Sequence, residues 1–333
     1  MEFAEGEGGW PVHVGGVVEE GVKYVIRTDV IYRHDEVEGE GKVEEEGGKS
    51  ESEDSENLDD SVPFDARLTA HDDIVRDTLN PHQPSSPLPT SVYEPAFLEV
   101  VSPLYEPVMG AENLGYLLHS LVRFLKPKVI MEIGAGYTSL YILQALRENE
   151  IEMERVKDCV LKGRMKLLDY PWTIEDEVVN WGGRECKLTV LDNCKHQKET
   201  ASSAVGIARK LNLHEYLDFK VGDAYEANFE KESVDMLWCD FGVGGRMVEF
   251  MKSNWGCIKP GGYLVCHSTL TNLNTRRWTE GLRAGGGVDV CGIPAGDYEH
   301  ISMLEGHKRF QNSVTIVQKR DKGYEEPIYS QYA

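Results

Sequence analysis

The apolar residues of this chain alternate between short continuous runs and helical stripes, and the alternation sets in at Val92. Ala111 to Leu125 places Leu114, Leu117, Leu118, Leu121, Val122 and Leu125 at helical spacing, and Lys126-Pro127 stops it. Val129 to Ile133 reads as a strand, Thr138 to Arg147 as a helix, Leu188 to Leu191 as a second strand and Ala201 to Leu211 as a helix. Leu217 to Val221 and Val234 to Cys239 are the next strands, Met247 to Trp255 a helix, and Tyr263 to Cys266 a fifth strand. His300 to Leu304 and Ser313 to Gln318 close the series as an antiparallel hairpin. Strands alternating with helices predict an α/β fold, a doubly wound sheet covered on both faces with its terminal pair at one edge.

Charge divides the chain further. Of a formal net charge of −22 over 333 residues, residues 1–62 carry −14. Positions 35–62 are nearly all Glu, Asp, Gly, Ser and Lys, too poor in apolar side chains to offset the entropy of ordering, and are read as a disordered linker. The expected division is a fragment at 1–34, the linker at 35–62, a lead-in with lid helices at 63–128, a core at 129–320 and a tail at 321–333. An acidic chain without a basic stripe is unsuited to nucleic acid or an anionic membrane surface. No run reaches the roughly 20 apolar residues of a membrane span, and the start is Gly- and Glu-rich, so a soluble, cytoplasmic protein is expected. Seven cysteines without a C-x-x-C pair argue against a disulfide framework and a structural zinc site.

In such a sheet a ligand sits at the carboxyl ends of the strands, where the first strand turns into its helix. That turn is Glu132-Ile133-Gly134-Ala135-Gly136-Tyr137-Thr138-Ser139. Gly134 and Gly136 permit a tight turn and close approach of a ligand, whereas Ser139 stands where a dinucleotide site wants a third glycine. Glu132 suits an acceptor beside a ligand's ammonium group. The second strand ends at Asp192-Asn193, placed to accept ribose hydroxyls, and the third in Gly222-Asp223-Ala224, where Asp223 could accept from an adenine amine. The fourth ends in Trp238-Cys239-Asp240-Phe241. Aromatic faces attract cations, and Tyr137, Tyr141, Trp238 and Phe241 lie near this edge.

Over residues 92–320 the sequence resembles the class I S-adenosylmethionine-dependent methyltransferases, through Val129–Tyr137, Leu188–Asn193, Val221–Ala224, Val234–Asp240 and Ile258–Val265 in that order. The resemblance implies a Rossmann-like seven-stranded sheet, with the final antiparallel strand between the fifth and sixth, and an N-terminal extension before it. It implies S-adenosyl-L-methionine as cofactor, with Glu132, Gly134, Gly136 and Tyr137 at the methionine end, Asp192 and Asn193 at the ribose, and Asp223, Ala224 and Asp240 completing the site. The layout is similar to small-molecule O-methyltransferases of the catechol and caffeoyl-coenzyme A type, which hold a divalent cation between strands four and five. Asp240 matches the first ligand there, but Cys266-His267-Ser268-Thr269 lacks the next carboxylate, so no metal is expected.

Without a metal, catalysis reduces to in-line alignment of a small-molecule acceptor and removal of its proton. His267 is the base candidate and Asp240 the second catalytic candidate; a plain hydrogen bond from His267 to a neighbouring loop is the competing reading. The loop Leu304 to Ser313 resembles that of some bacterial natural-product methyltransferases, Glu-x-His-Lys-x-x-Gln-Asn-Ser, which makes Glu305, His307 and Gln311 substrate candidates against the alternative of a solvated hairpin tip. Tyr93, with Phe97 and Tyr105, lies in the segment that closes over substrate in this family.

Two features stand apart. Gly136 and Asp192 are 56 positions apart, against about 20 in the usual spacing, which places an insertion at 150–186; packing or subunit contact, and with it a homodimer, is the default reading, with Tyr170 or Trp172 over the pocket as the alternative. Residues 8–33 resemble the last strands of a 2-oxoglutarate and iron-dependent dioxygenase of the prolyl-hydroxylase type, through His13, Lys23 and the strand Ile26 to Tyr32. The earlier His-x-Asp is missing, so the stretch cannot hold iron alone. It reads either as part of a dioxygenase-methyltransferase fusion or as an unrelated hairpin. The functional expectation is methyl transfer to an oxygen or nitrogen. Cyclisation or aminocarboxypropyl transfer from the same cofactor, and a non-catalytic binding module, are the alternatives.

Overall fold

The computed structural model describes residues 4–5, 11–12, 88–107, 112–164, 186–195, 200–227, 229–309 and 311–320. The chain forms two units, Met1–Leu58 and Asp59–Ala333, divided within the expected linker. In the first, Ala4–Glu5 pairs antiparallel with Pro11–Val12. His13, Lys23 and the strand expected at Ile26 to Tyr32 lie outside the described residues.

The second unit is built on seven strands: β1 (Val129–Ile133), β2 (Lys187–Asp192), β3 (Leu217–Val221), β4 (Val234–Cys239), β5 (Ile258–His267), β6 (Tyr298–Leu304) and β7 (Ser313–Lys319). Their order is β3-β2-β1-β4-β5-β7-β6, parallel throughout except β7, which runs antiparallel to both neighbours. This is the Rossmann-like arrangement expected, with the last strand inserted between the fifth and sixth. The order reverses at β1, whose carboxyl end carries the glycine turn and forms the natural ligand crevice. Alternate side chains feed two cores. Ile130, Val190, Met236 and Trp238 pack under helices on one face, while Met131, Leu237, Leu264 and Val317 pack on the other.

Helices α1 (Pro95–Val101), α2 (Leu114–Leu125), α3 (Tyr137–Leu161) and α4 (Ala201–Lys210) precede β3, and α5 (Met247–Asn254), α6 (Leu273–Arg283) and the one-turn α7 (Val288–Cys291) follow β4. α2 ends as expected, with Lys126 in a left-handed conformation at φ 47° before Pro127. α3 differs. It was expected to stop near Arg147, but runs 25 residues, because no helix breaker intervenes before Gly163, which terminates it at φ 62°. Its charged second half is matched to α2: Arg123 reaches Glu148 and Glu152 at 3.3 and 2.8 Å, and Lys126 reaches Glu152 at 3.0 Å. The first part of the expected insertion is therefore helix, while Tyr170 and Trp172 lie outside the described residues.

β5 also exceeds expectation. Expected at Tyr263 to Cys266, it runs from Ile258 to His267, with Lys259-Pro260-Gly261-Gly262 as a bulge between the residues paired with Val234 and Met236. Between β3 and β4 no described residue is helical. The sheet face there carries a groove of about 380 Å³ lined by Met131, Thr189, Leu191, Lys220 and Phe229.

Candidate functional site

The glycine turn is fixed from three sides. Gly134 sits at φ 92°, and a Cβ there would come within 2.3 Å of the Asp240 carbonyl oxygen, so only glycine fits. Its N–H donates to Leu191 O at 3.0 Å, and Asp240 N donates to Ile133 O at 3.0 Å, which binds the ends of β1, β2 and β4 together. Thr200 Oγ1, ahead of α4, donates to Ala135 O at 2.6 Å. Gly136 is extended and opens α3, with its N–H on Ser139 Oγ at 3.0 Å.

Glu132 is completely buried below this turn. One oxygen accepts from Thr138 Oγ1 at 3.1 Å, and Oε2 has no partner. Burial pushes its carboxyl up to about 8, opposed by the neighbouring Ser139 and Thr138 hydroxyls and reinforced by the charges of Asp240 and Asp192. An unpartnered acceptor in that position is costly unless a donor arrives.

Asp192 already has two partners. Its Oδ2 accepts from Ala135 N at 2.8 Å and its Oδ1 from Cys194 N at 2.7 Å, so it braces the turn at the carboxyl end of β2. Asn193 is exposed, with Oδ1 accepting from Lys195 N. Asp223 is exposed and caps Tyr225 N at 2.9 Å; Ala224 beside it is buried.

Asp240, His267 and Gln311 are brought together. Asp240 Oδ1 lies 2.8 Å from His267 Nδ1, and His267 Nε2 lies 3.2 Å from Gln311 O. A carbonyl only accepts, so Nε2 carries hydrogen here, and the loop contact weighed as the competing reading is present. Burial works against the imidazolium, but the Asp240 charge, its hydrogen bond and the Gln311 carbonyl together raise the His267 pKa despite Lys308 nearby. Gln311 adopts φ 44°, unusual for a side chain of its kind.

The rest of the Leu304 to Ser313 loop folds toward α2. Lys308 Nζ bonds Glu112 at 2.8 Å and Glu305 at 3.2 Å, and His307 Nε2 meets Asn113 Nδ2 at 3.2 Å. Glu305 and Gln311 are thus not a free hairpin tip, whereas His307 is exposed. Tyr93 is 64% exposed and stacks on Tyr116 at 5.4 Å; Tyr116 packs on Tyr141, Tyr141 on Tyr137, and Tyr137 on Tyr105. This row connects Tyr93 to the glycine turn. Trp238 is core, yet its Nε1 donates to Thr138 Oγ1 at 3.2 Å.

Glu112, Asn113, Thr138, Thr200, Lys308 and Asn312 were not among the candidate site residues named from the sequence. Thr138 lies six positions after Glu132, within the glycine turn, and could have been found; Glu112 and Lys308 are 196 positions apart, and no local pattern relates them. Among the described residues no group of three or more His, Cys, Asp or Glu side chains could hold a metal, and no helix is long and apolar enough to cross a membrane.

Residues 131–269 match the family model described as a methyltransferase domain. The match spans the glycine turn, Asp192, Asp223, Asp240 and His267. No curated protein matches the sequence. Among solved structures, the chain is similar to the O-methyltransferase TomG of Streptomyces achromogenes, involved in tomaymycin synthesis and solved with S-adenosylmethionine (15% identity, 67% of this chain and 87% of that one, TM-score 0.43). It is also similar to an O-methyltransferase of Bacillus cereus in complex with S-adenosylhomocysteine (13%, 76% and 99%, TM-score 0.44) and to the methyltransferase PaMTH1 of Podospora anserina bound to S-adenosylhomocysteine (15%, 79% and 100%, TM-score 0.45).

Proposed function

We propose that this protein is an S-adenosylmethionine-dependent methyltransferase acting on an oxygen or nitrogen of a small molecule without a metal ion. The observation that carries the cofactor assignment is the buried Glu132 with its unpartnered Oε2, beneath a glycine turn at the point where the strand order reverses. The orphaned oxygen fits the cofactor's ammonium group, which supplies the donor it lacks. Gly134 and Gly136 keep the backbone bare for the methionine portion, Asp192 and Asn193 face the ribose, and Asp223 with Ala224 face the adenine. Bound there, S-adenosylmethionine supplies a methyl group on a sulfonium, whose sulfur retains the S–C electron pair when the methyl departs.

The chain's own residues align the acceptor and take its proton. A sulfonium methyl is electrophilic enough that positioning dominates. His267, oriented by Asp240 through Nδ1, removes the acceptor's proton at Nε2 once that nitrogen has given up its own hydrogen and its contact with Gln311 O. Tyr93, Glu305, His307 and Gln311 line the acceptor end. Pairing into a homodimer and fusion to a dioxygenase domain belong to the same proposal, the latter supported by the His13 and Lys23 spacing alone.

Incubation with methyl-labelled S-adenosylmethionine and small-molecule acceptors, read by mass spectrometry, tests the reaction. Labelled product with S-adenosylhomocysteine in equal amount is expected. Release of methylthioadenosine in its place would assign cyclisation or aminocarboxypropyl transfer.

A further inference from the structure

Three buried side-chain oxygens without a hydrogen-bond partner are gathered around one residue. They are Glu112 Oε2, Glu305 Oε1 and Asn312 Oδ1. Lys308 joins them: its Nζ bonds the other oxygen of each glutamate, and its backbone O accepts from Asn312 Nδ2 at 2.7 Å. Glu112 is only 4% exposed and the Lys308 side chain 8%.

A clamp between α2 and the loop accounts for the oxygens that face Lys308. It leaves the second oxygen of each carboxylate buried and unbonded, and leaves two carboxylates against one ammonium. Burying such an excess charge is unfavourable without a further cation. A hard metal ion is a poor candidate, since it needs six or more oxygens and would sit beside the Lys308 ammonium. A primary ammonium brings one positive charge and three N–H donors, matching both the charge and the number of orphaned acceptors.

The cluster lies at the acceptor end. The same loop places Gln311 O on His267, and Lys308 and Glu112 are close enough to His267 and Tyr137 respectively to influence their protonation. We propose, resting on the methyltransferase reading above, that the acceptor carries a primary ammonium group held by Glu112, Glu305 and Asn312, and is methylated at a different atom that faces His267. The second part follows from the first, because a protonated amine has no lone pair with which to attack a methyl group.

The test uses the full chain, S-adenosylmethionine and a panel of amino alcohols and aminophenols, each assayed beside its N-acetyl derivative. Free amines are expected to be methylated away from the amine, with kcat/KM roughly 10- to 100-fold above their acetylated partners, the range of a charged hydrogen-bonded contact. Glu112→Gln should remove most of that preference, chiefly through KM, and leave S-adenosylhomocysteine affinity within about twofold, since Glu112 is assigned to the acceptor. Glu305→Gln, on the loop, repeats the test should Glu112→Gln fail to fold. The proposal falls if no amine is turned over, if acetylated partners do as well, or if the variants weaken both members of a pair equally. Failure of S-adenosylhomocysteine to bind the wild-type chain would instead remove the methyltransferase reading itself.

Discussion

Gly134 and Glu132 are two residues apart on the same turn, and each is constrained in a way that a substitution exposes. Gly134→Ala adds a methyl at 2.3 Å from the Asp240 carbonyl with φ at 92°. Such a contact cannot relax without parting β1 from β4, and a loss of at least about 2 kcal/mol is expected in chemical denaturation. Glu132 carries a proton well into the neutral range, because its folded pKa of about 8 stands above its ordinary 4.5. Between those values the unfolded chain gives up the proton and the folded one keeps it, so stability of the unliganded protein falls as pH rises from about 4.5 to about 8. His267 acts in the same direction. Its raised folded pKa contributes stability at low pH that is lost as pH rises through that value. An ammonium against Glu132, as proposed for the cofactor, favours the ionised carboxylate, so S-adenosylhomocysteine should bind more tightly as pH approaches 8, with a proton released below it. Calorimetry in buffers of different ionisation enthalpy measures that release, and pH-independent binding without proton release would contradict it. Turnover should rise with pH through the His267 transition, above its ordinary 6.5, because Nε2 must lose a hydrogen before it can accept one.

At the scale of elements, Asp235 shows how the strand starts are fastened. One oxygen accepts from the backbone of Lys128 and Val129 at 3.0 and 2.8 Å, and the other holds Lys259 at 2.6 Å. Asp235→Ala frees two backbone donors at the entry to β1 and should cost about 1–3 kcal/mol, measurable as a lowered denaturation midpoint with unchanged slope. The strands were legible because each is a short run, continuous or alternating in its apolar residues, with a clear stop, and β3 and β4 occupy the residues their pattern indicates. Helix α6 was not. Its buried stripe is Thr275, Trp278, Thr279 and Leu282, in which threonines replace apolar residues and hide the period. Asn272, whose side chain accepts from Asn274 N at 2.9 Å, is the capping signal that could have located it. The length of α3 was hidden differently: Glu148 and Glu152 read as a polar end until α2 supplies Arg123 and Lys126 opposite them.

For the whole molecule, the half of the site proposed to hold the cofactor could be named from sequence because a glycine turn and strand-end acids are local signals in a fixed order. The acceptor half was readable only in part. Glu305 and Gln311 could be named from the loop, but their meaning depends on Glu112 and His267, which only the tertiary fold brings to them. All seven strands and every residue assigned to the site belong to the unit Asp59–Ala333. A chain beginning at Pro63 should therefore bind S-adenosylhomocysteine as the full chain does, and a loss on truncation would give the N-terminal residues a part in the site. The most direct measurement is calorimetric titration of the full chain with S-adenosylhomocysteine, beside NAD and beside the Glu132→Gln variant. We predict micromolar binding of S-adenosylhomocysteine, none of NAD, and an affinity lowered by roughly 10- to 100-fold in Glu132→Gln, as expected when a charged hydrogen bond becomes a neutral one, while that variant unfolds no more readily than the wild type. Absence of S-adenosylhomocysteine binding, or binding that Glu132→Gln leaves unchanged, would contradict the account.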